Sequence, residues 1–235
     1  MNIIVTGASS GIGYETVKYF TKAGEHKILA IARNADNLKK LEQQCWGINP
    51  SSTVLPLALD LTHYLDNEEA LREEISKKLP SVDILLNNAG NLINKPFEQV
   101  TYRDALRTFQ VNLFVPAMLI RIAAGLKGEK LHAVNIGSMG GFQGSSKFPG
   151  LSYYSASKAS VASLTECLAE EFKEQKISVN CLAIGAAQTE MLEEAFPGMK
   201  APLSAGEMAA FIGHFCLSGD TYFNGKILPV AVSTP

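Results

Sequence analysis

The chain has 235 residues, of which 46% are hydrophobic and 19% are charged, and its formal net charge at pH 7 is -2. This length and composition predict one α/β domain with a sizeable core, and the small net charge excludes a strongly basic protein that binds nucleic acid. Apolar stretches such as residues 28–32 are shorter than the ~20 residues that cross a bilayer, so we expect no contact with a membrane.

The N-terminal residues indicate a strand rather than a targeting segment. Met1 is followed at once by Asn2-Ile3-Ile4-Val5, without the basic start and long apolar run of a signal peptide. The four cysteines are scattered and form no C-x-x-C pair, which favours reduced thiols over a disulfide framework or a metal site. We therefore expect a cytoplasmic protein without a bound metal.

Short apolar runs alternate with helical patterns along nearly the whole chain. The predicted strands cover residues 2–6, 27–32, 53–59, 82–86, 132–136, 178–183 and 226–230. The predicted helices cover residues 11–23, 36–45, 67–79, 102–125, 152–174 and 205–217. This alternation is typical of β-α-β units, so the sequence predicts a single-domain α/β fold with a Rossmann-type, doubly wound parallel sheet. We expect about seven strands with helices on both faces of the sheet.

Two local features refine this architecture. Pro56 lies inside the third predicted strand, and proline is tolerated mainly on an edge strand because it has no N–H to donate. The third strand is an edge in the 3-2-1-4-5-6 order of doubly wound sheets. Residues 190–204 form the longest irregular stretch and are a candidate substrate lid within a domain that spans residues 1–235.

A glycine-rich turn follows the first strand directly and precedes the first helix. Glycines at such a turn let the backbone approach a pyrophosphate, while the helix offers free N–H groups and the positive end of its dipole. A tight turn without a ligand is the simpler alternative. The residues predicted to hold the cofactor phosphates are Gly7, Ser9, Ser10, Gly11, Ile12 and Gly13.

The motifs together identify the chain as resembling the short-chain dehydrogenase/reductase family. The turn has the spacing G-x-x-x-G-x-G, and further matches follow in chain order: Asp60 with Leu61, the segment 87–90 with sequence Asn-Asn-Ala-Gly, Ser138, and Tyr154-x-x-x-Lys158. The resemblance covers essentially the whole chain. It implies a nicotinamide-dependent oxidoreductase that acts on a small-molecule carbonyl or alcohol and assembles as a homodimer or homotetramer.

The resemblance also assigns further cofactor contacts. It implies that Asp60 and Leu61 flank the adenine. The ribose side and the nicotinamide side are assigned to Asn88, Ala89, Gly90, Tyr154, Lys158, Gly185, Ala187 and Thr189. Relatives carry proline before the glycine at position 185, where this chain has Ile184, and the C-terminal residues 231–235 depart from the usual Asp-Gly-Gly segment.

The end of the second strand favours NADP(H) over NAD(H). Enzymes that prefer NAD carry an acidic residue at this place, which binds the ribose hydroxyls. Here Ala32 is followed by Arg33, and a guanidinium pairs with a 2′-phosphate that a carboxylate would repel. An ordinary exposed arginine at a helix start is the alternative, and NAD(H) remains open as the cofactor.

Tyr154 and Lys158 are four residues apart and therefore share one face of a helix. An ammonium and an oxidised nicotinamide near a tyrosine favour its phenolate, so we expect a lowered pKa for Tyr154. Tyr154 would donate a proton in carbonyl reduction and accept one in alcohol oxidation. Ser138 ends a strand at the carboxyl edge of the sheet, and its match to the family position implies that it holds the substrate oxygen.

Asn112 matches the fourth member of the family's catalytic set, whose backbone carbonyl holds a water linked to the lysine. Pro116 lies four residues later and has no N–H to give to that carbonyl, which leaves it free to accept a water. An ordinary proline kink in a long helix is the alternative.

Apolar loop residues suggest a neutral, hydrophobic ketone or aldehyde as the substrate. The predicted pocket wall comprises Met139, Phe142, Phe148, Leu151, Met191 and Phe196. A non-catalytic NADP(H) sensor on the same fold and an NAD-dependent alcohol dehydrogenase are the competing hypotheses. An apolar stripe on the helix 152–174 fits either a subunit interface or the core.

Overall fold

The computed structural model describes residues 1–232; residues 233–235, part of the atypical C-terminus, lie outside the described residues. Seven parallel strands form the main sheet: β1 (Asn2–Thr6), β2 (Lys27–Ala32), β3 (Thr53–Ala58), β4 (Val82–Asn87), β5 (Lys127–Ile136), β6 (Ile177–Ile184) and β9 (Ile227–Val230). A separate two-stranded pair joins β7 (Ala187–Gln188) to β8 (Leu203–Ser204). The order in the main sheet is β3-β2-β1-β4-β5-β6-β9, so the predicted doubly wound sheet is confirmed.

The helices are α1 (Gly11–Ala23), α2 (Ala35–Ile48), α3 (Glu68–Ser76), α4 (Tyr102–Phe109), α5 (Val115–Gly125), α6 (Ser152–Glu171), α7 (Glu190–Ala195) and α8 (Ala205–Ser218). On one face of the sheet, α1, α2 and α8 bury residues such as Phe20, Leu41 and Ile212. On the other face, α3, α5 and α6 bury residues such as Leu71 and Ile122. Both faces are therefore covered, which explains why the strands consist almost wholly of apolar residues.

Pro56 lies on the edge strand β3, as its missing N–H predicts. At the opposite edge, β9 carries Pro229, which is paired in register with Ala183. Within the described residues, both edges of the main sheet thus contain a proline.

Several predicted elements differ from the structure, most clearly in three places. The predicted helix 102–125 is interrupted by a π-helical turn at Gln110–Phe114, and the predicted helix 152–174 ends at Glu171 before a 3-10 turn at Lys173–Gln175. β5 begins at Lys127 rather than at residue 132, with a register shift against β4. These differences arise where the backbone is irregular. The spacing of apolar residues along the sequence does not indicate such irregularities.

The candidate lid 190–204 is more regular than predicted. It contains α7, whose first turn is capped by the Thr189 side chain accepting from the Leu192 N–H. Its two ends are joined because β7 pairs with β8, placing Ala187 opposite Leu203. Ser204 and Glu207 then form a capping box that starts α8.

The apolar stripe on α6 belongs to the core. Val161 is buried, and Leu168 and Phe172 pack against the hydrophobic cluster under the sheet. Leu164 is half-buried. Packing against the sheet therefore supports the core interpretation of this stripe, and a subunit interface through α6 stays a prediction.

One helical run, Tyr102–Gly125, is long and apolar enough to cross a membrane by length and composition alone. This corrects the expectation that all apolar stretches fall far short of that length. Half of the run's most apolar window is buried inside the fold, as in a core helix of a soluble protein, so it is weak evidence for a membrane span.

A buried histidine joins the C-terminal elements to the sheet. The Nδ1–H of His132 donates to the Cys216 carbonyl at 3.0 Å, and the Asn180 amide donates to Nε2 at 3.1 Å. The Asn180 side chain is itself fixed, because it donates to the Phe223 carbonyl and accepts from the Lys226 N–H. Both ring nitrogens are used by the neutral imidazole, and burial lowers the pKa of His132.

This arrangement predicts acid destabilisation. The unfolded chain takes up a proton at His132 below its ordinary pKa of about 6.5, while the folded chain resists it, so the free energy of unfolding falls as the pH drops. We expect His132→Gln to flatten the pH dependence of urea unfolding between about pH 7.5 and about pH 5.5, by at most about 1.4 kcal/mol per pH unit. An unchanged slope in the variant would contradict this role.

Candidate active site

The glycine turn after β1 requires glycine for two different reasons. Gly7 and Gly11 have φ angles of 66° and 54°, in the left-handed region that side chains disfavour. At Gly13 a Cβ atom would overlap the carbonyl oxygen of Gly7 and lie 2.5 Å from Nδ2 of Asn88. The turn therefore packs against its neighbours without room for a side chain, as a phosphate-binding turn needs.

Thr6 ties this turn to the loop after β4. Its Oγ1 accepts the backbone N–H groups of Asn88 and Ala89, both at 3.0 Å, and donates to the Leu86 carbonyl. The Asn88 side chain donates back to the carbonyls of Thr6 and Gly7. β1 and β4 are neighbours at the point where the strand order reverses, so these bonds fix the two loops that border the crevice there.

The two loops form one wall of a cleft of about 280 Å³ at the carboxyl ends of the strands. The predicted residues that line it are Gly7, Ser9, Ser10, Gly11, Ile12, Arg33, Asp60, Leu61, Asn88, Ala89, Gly90, Tyr154, Lys158 and Thr189. Five predicted residues do not line it: Gly13, Asn112, Ser138, Gly185 and Ala187. The crowded glycine turn, the uncapped start of α1 and the mixed polar and apolar lining fit a dinucleotide.

Two of the residues outside the lining, Gly185 and Ala187, lie in the segment after β6. Ala187 is buried, and its strand β7 precedes Thr189. The Gly185 N–H donates to the Val230 carbonyl at 2.9 Å, so the turn without the family's proline is held by β9. Among residues 1–232, no group of three or more His, Cys, Asp and Glu side chains is placed to hold a metal ion.

Arg33 and Asp60 lie at one end of the cleft. Arg33 is exposed and forms no ion pair with any described residue, so its guanidinium is available to a ligand. Asp60 is paired with Arg107, with 2.7 Å between Oδ2 and Nη2. Burial raises the pKa of Asp60, but hydrogen bonds from Arg107 and Thr62 outweigh it and hold that pKa at about 2.

Tyr154 and Lys158 lie at the other end, on the first turns of α6. The Lys158 Nζ donates to the Ile136 carbonyl at 2.6 Å and lies 6.0 Å from the centre of the Tyr154 ring. Burial lowers the pKa of Lys158 to about 8. This lowered pKa lies closer to neutral pH than the ordinary pKa of a lysine.

The predicted pKa direction for Tyr154 is wrong for the protein's own groups. Burial raises that pKa and is the largest effect, while the Ser138 side chain lowers it. Ser138 follows β5, and its Oγ also accepts the Gly140 N–H at 3.1 Å. The fold thus brings the Ser138 hydroxyl to the Tyr154 hydroxyl, with a lysine on the same helix face.

Asn112 lies in the π-helical turn rather than in regular helix, and it is buried. Its side chain accepts from the Asn91 N–H at 2.8 Å and donates to the Asn91 carbonyl and to the Ser157 Oγ, both at 2.9 Å. Ser157 donates in turn to the Tyr154 carbonyl at 2.7 Å. Asn112 therefore joins the loop after β4 to α6 beside the tyrosine and the lysine.

The cleft contains one residue of the predicted substrate wall, and the rest of that wall stays a prediction. Of the six apolar residues, only Met191 lines the cleft; Met139 and Leu151 are buried in the fold. Met191 lies over the cleft, since a Cβ atom on Gly90 would be 3.7 Å from its Cε. Asn94 donates to the Ala195 carbonyl at 2.8 Å and so connects α7 to the loop after β4.

Sequence reasoning missed several residues that line the cleft. They are Ile31, Ala32, Leu59, Thr62, Asn91, Arg107, Val111, Val115, Ile136, Gly137, Ile184, Glu190 and Met191, the last of which was assigned only to the substrate wall. Most lie at the end of a strand or follow a strand or a motif residue directly, and that position was an available signal. Arg107 had no such signal, because its partner Asp60 lies 47 residues earlier in the chain.

Comparison with known proteins agrees with this geometry. A family model described as short chain dehydrogenase matches residues 1–200. L-xylulose reductase from Caenorhabditis elegans is 34% identical over 195 residues, covering 80% of this chain and 72% of that protein. NAD-dependent glycerol dehydrogenase from Listeria innocua is 33% identical over 201 residues, covering 83% of this chain and 74% of that protein.

Solved structures share the fold of this chain. The structure of an oxidoreductase, yciK from E. coli, superposes with a TM-score of 0.87 at 25% identity, covering 97% of this chain and 93% of that one. With the family model covering most of the chain and a seven-stranded sheet of the expected order, the protein belongs to the short-chain dehydrogenase family, oxidoreductases that act on CH–OH and C=O groups.

Proposed function

We propose that the protein is an NADP(H)-dependent oxidoreductase that reduces the carbonyl group of a neutral, hydrophobic ketone or aldehyde. The observation that carries this proposal is one cleft with a glycine turn and an exposed arginine at one end and Tyr154 and Lys158 at the other, with Ser138 beside Tyr154. A dinucleotide bound along this cleft would bring its nicotinamide to the tyrosine.

Residues of the glycine turn and of the loop after β4 would hold the cofactor, with Gly7 and Asn88 fixing the two loops together. The nicotinamide supplies or accepts the hydride. The Ser138 hydroxyl orients the substrate oxygen, and the Tyr154 hydroxyl donates its proton to that oxygen in reduction or accepts it in oxidation. Burial raises the pKa of Tyr154, so transfer of its proton depends on groups that stabilise the phenolate.

Lys158 and Asn112 complete the proposed catalytic group. The Lys158 ammonium lowers the cost of a phenolate at Tyr154, and its bond to the Ile136 carbonyl fixes its position. The Asn112 backbone carbonyl, freed from Pro116, would hold a water linked to Lys158. Its location in an irregular turn that is bonded to Ser157 next to Lys158 supports this role.

The preference for NADP(H) rests on Arg33. A free guanidinium at the end of β2 favours a 2′-phosphate, and we expect NADPH to bind more tightly than NADH. Arg33→Asp should reverse the order, because a carboxylate repels the phosphate and accepts from ribose hydroxyls. Loss of one charged hydrogen-bonding partner predicts a change of about 10- to 100-fold in the ratio of the two dissociation constants.

Fluorescence titration with NADPH and NADH measures this ratio. Lys39→Asp is the matched control, since it makes the same charge change at an exposed position that does not line the cleft. If NADPH binding weakens equally in both variants, the result shows only a general effect of charge. Tighter binding of NADH by the unchanged protein would favour the alternative of an NAD-dependent alcohol dehydrogenase, and binding without turnover would favour a sensor.

The remaining assignments are proposals of the same kind. Residues 190–204 act as a lid, supported by the position of Met191 over the cleft. A homodimer or homotetramer packed through α4, α5 and α6 is supported by two exposed apolar residues, Tyr102 on α4 and Phe114 in the π-helical turn between α4 and α5. We also infer a cytoplasmic location.

A further inference from the structure

The candidate lid begins directly over the glycine turn. A Cβ atom on Gly11 would lie 3.2 Å from Cγ2 of Thr189 and 3.6 Å from Oε2 of Glu190. Gly11 is the first residue of α1, and Glu190 is the first residue of α7. The lid helix therefore starts with a carboxylate that lies against the start of the helix after the glycine turn.

The start of α1 has no anionic partner within its own helix. The first N–H groups of a helix have no acceptor inside it, and the helix dipole gives this end a partial positive charge. The Ser10 side chain does not cap α1, and the first turn of α1 contains no acidic residue. Glu190 thus brings a negative charge from a distant segment to a helix end that favours one.

The start of the lid also separates two cavities. One is the cleft of about 280 Å³, and the other is a cavity of about 600 Å³ on the far side of the glycine turn. The residues that line both cavities are Ser9, Ser10, Gly11, Thr189 and Glu190. Glu190 therefore lies in the wall that the two cavities share.

The charges around Glu190 favour its contact with the turn. The second cavity is lined by two further carboxylates, Glu15 and Glu193, and by one cation, Lys40. The positive end of α1 lies on the other side. The Glu190 side chain is exposed, so it can turn away from the glycine turn into solvent without disturbing the core.

We infer that Glu190 is an autoinhibitory latch, whose carboxylate occupies the glycine turn and must be displaced before the pyrophosphate of the cofactor can bind there. This inference rests on the proposed function, because it requires a dinucleotide in the cleft. A carboxylate and a pyrophosphate are both anions, and they compete for the same N–H groups and the same helix dipole. The latch slows entry of the cofactor and links that entry to movement of the lid.

Glu190→Gln tests the latch, because the amide keeps the size of the side chain and removes its charge. We expect the variant to bind NADPH about two- to fivefold more tightly in a fluorescence titration, the range typical of one charge at a helix end. Stopped-flow mixing should show the gain in the association rate constant, with the dissociation rate constant nearly unchanged. The difference from the wild type should narrow between about 0.05 M and about 1 M NaCl, because salt screens exposed charges.

Glu194→Gln is the matched control. Glu194 is exposed on the same helix, and it lines neither cavity. The substitution removes the same charge from the lid, and the variant should bind NADPH as the wild type does. The melting temperature of each variant without cofactor shows whether the fold is retained.

Three outcomes would overturn the inference while leaving the proposed function intact. In the first, Glu190→Gln binds NADPH no more tightly than the wild type, so the carboxylate does not compete with the cofactor. In the second, Glu194→Gln gives the same gain, which is a general effect of charge. In the third, only the dissociation rate constant changes, which means that Glu190 repels the bound cofactor and does not block its entry. Failure of the unchanged protein to bind NADPH or NADH would instead overturn the proposed function itself.

Discussion

Tyr154→Phe is expected to lower kcat for NADPH-dependent reduction of a hydrophobic ketone by about 10²–10⁴-fold, the usual contribution of a positioned general acid. The phenyl ring keeps the packing of the buried tyrosine, while the proton that Ser138 and Lys158 surround is removed. Steady-state kinetics with a panel of apolar ketones and aldehydes measure the change.

Tyr153→Phe provides the control for this experiment. Tyr153 is adjacent in the chain but stacks on Phe97, with ring centres 5.8 Å apart, and has no lysine four residues later. It should retain most of the activity. Full activity in Tyr154→Phe, with the control unchanged, would remove the tyrosine from the mechanism.

Gly13→Ala is expected to abolish measurable dinucleotide binding and to lower the free energy of unfolding by about 1–3 kcal/mol. The added methyl group would overlap the Gly7 carbonyl oxygen and press against the Asn88 side chain, so the two loops that border the cleft must separate. Urea unfolding and fluorescence titration with NADPH measure the two effects.

Gly47→Ala is the control for Gly13→Ala, because it changes a glycine that is not crowded by its neighbours. Gly47 lies near the end of α2, and a Cβ atom there meets nothing within 4 Å. Alanine should leave binding unchanged and stabilise the helix by up to about 1 kcal/mol. If Gly13→Ala binds NADPH as the wild type does, the close approach of the two loops is not needed for the cofactor.

Much of the fold could be predicted because its signals are local or periodic. Strand composition predicted a sheet covered on both faces, and the missing N–H of Pro56 predicted the edge strand. The interruption at Gln110–Phe114 was not predictable in this way. A π-helical turn inserts one extra residue into a helix, and the apolar pattern on either side changes little.

The site was predicted where family motifs named its residues and missed where contacts join distant segments. The link between Asn112 and Ser157 and the pair of Asp60 with Arg107 depend on which helix packs over which loop. The effect of the protein's own groups on the pKa of Tyr154 was not predicted for a related reason, while the lowered pKa expected with an oxidised nicotinamide stays a prediction. Sequence shows the nearby charge on Lys158 but not the depth of burial, and burial is the larger effect.

The prolines in the edge strands bear on how the protein behaves when it is crowded or newly made. An unpaired strand edge offers a row of donors and acceptors to which another chain can add a strand, and this is a route to aggregation. Pro56 in β3 and Pro229 in β9 each remove one donor from such a row. A parallel sheet of this kind forms slowly from distant segments, so interrupted edges protect it during the interval in which they stand uncovered.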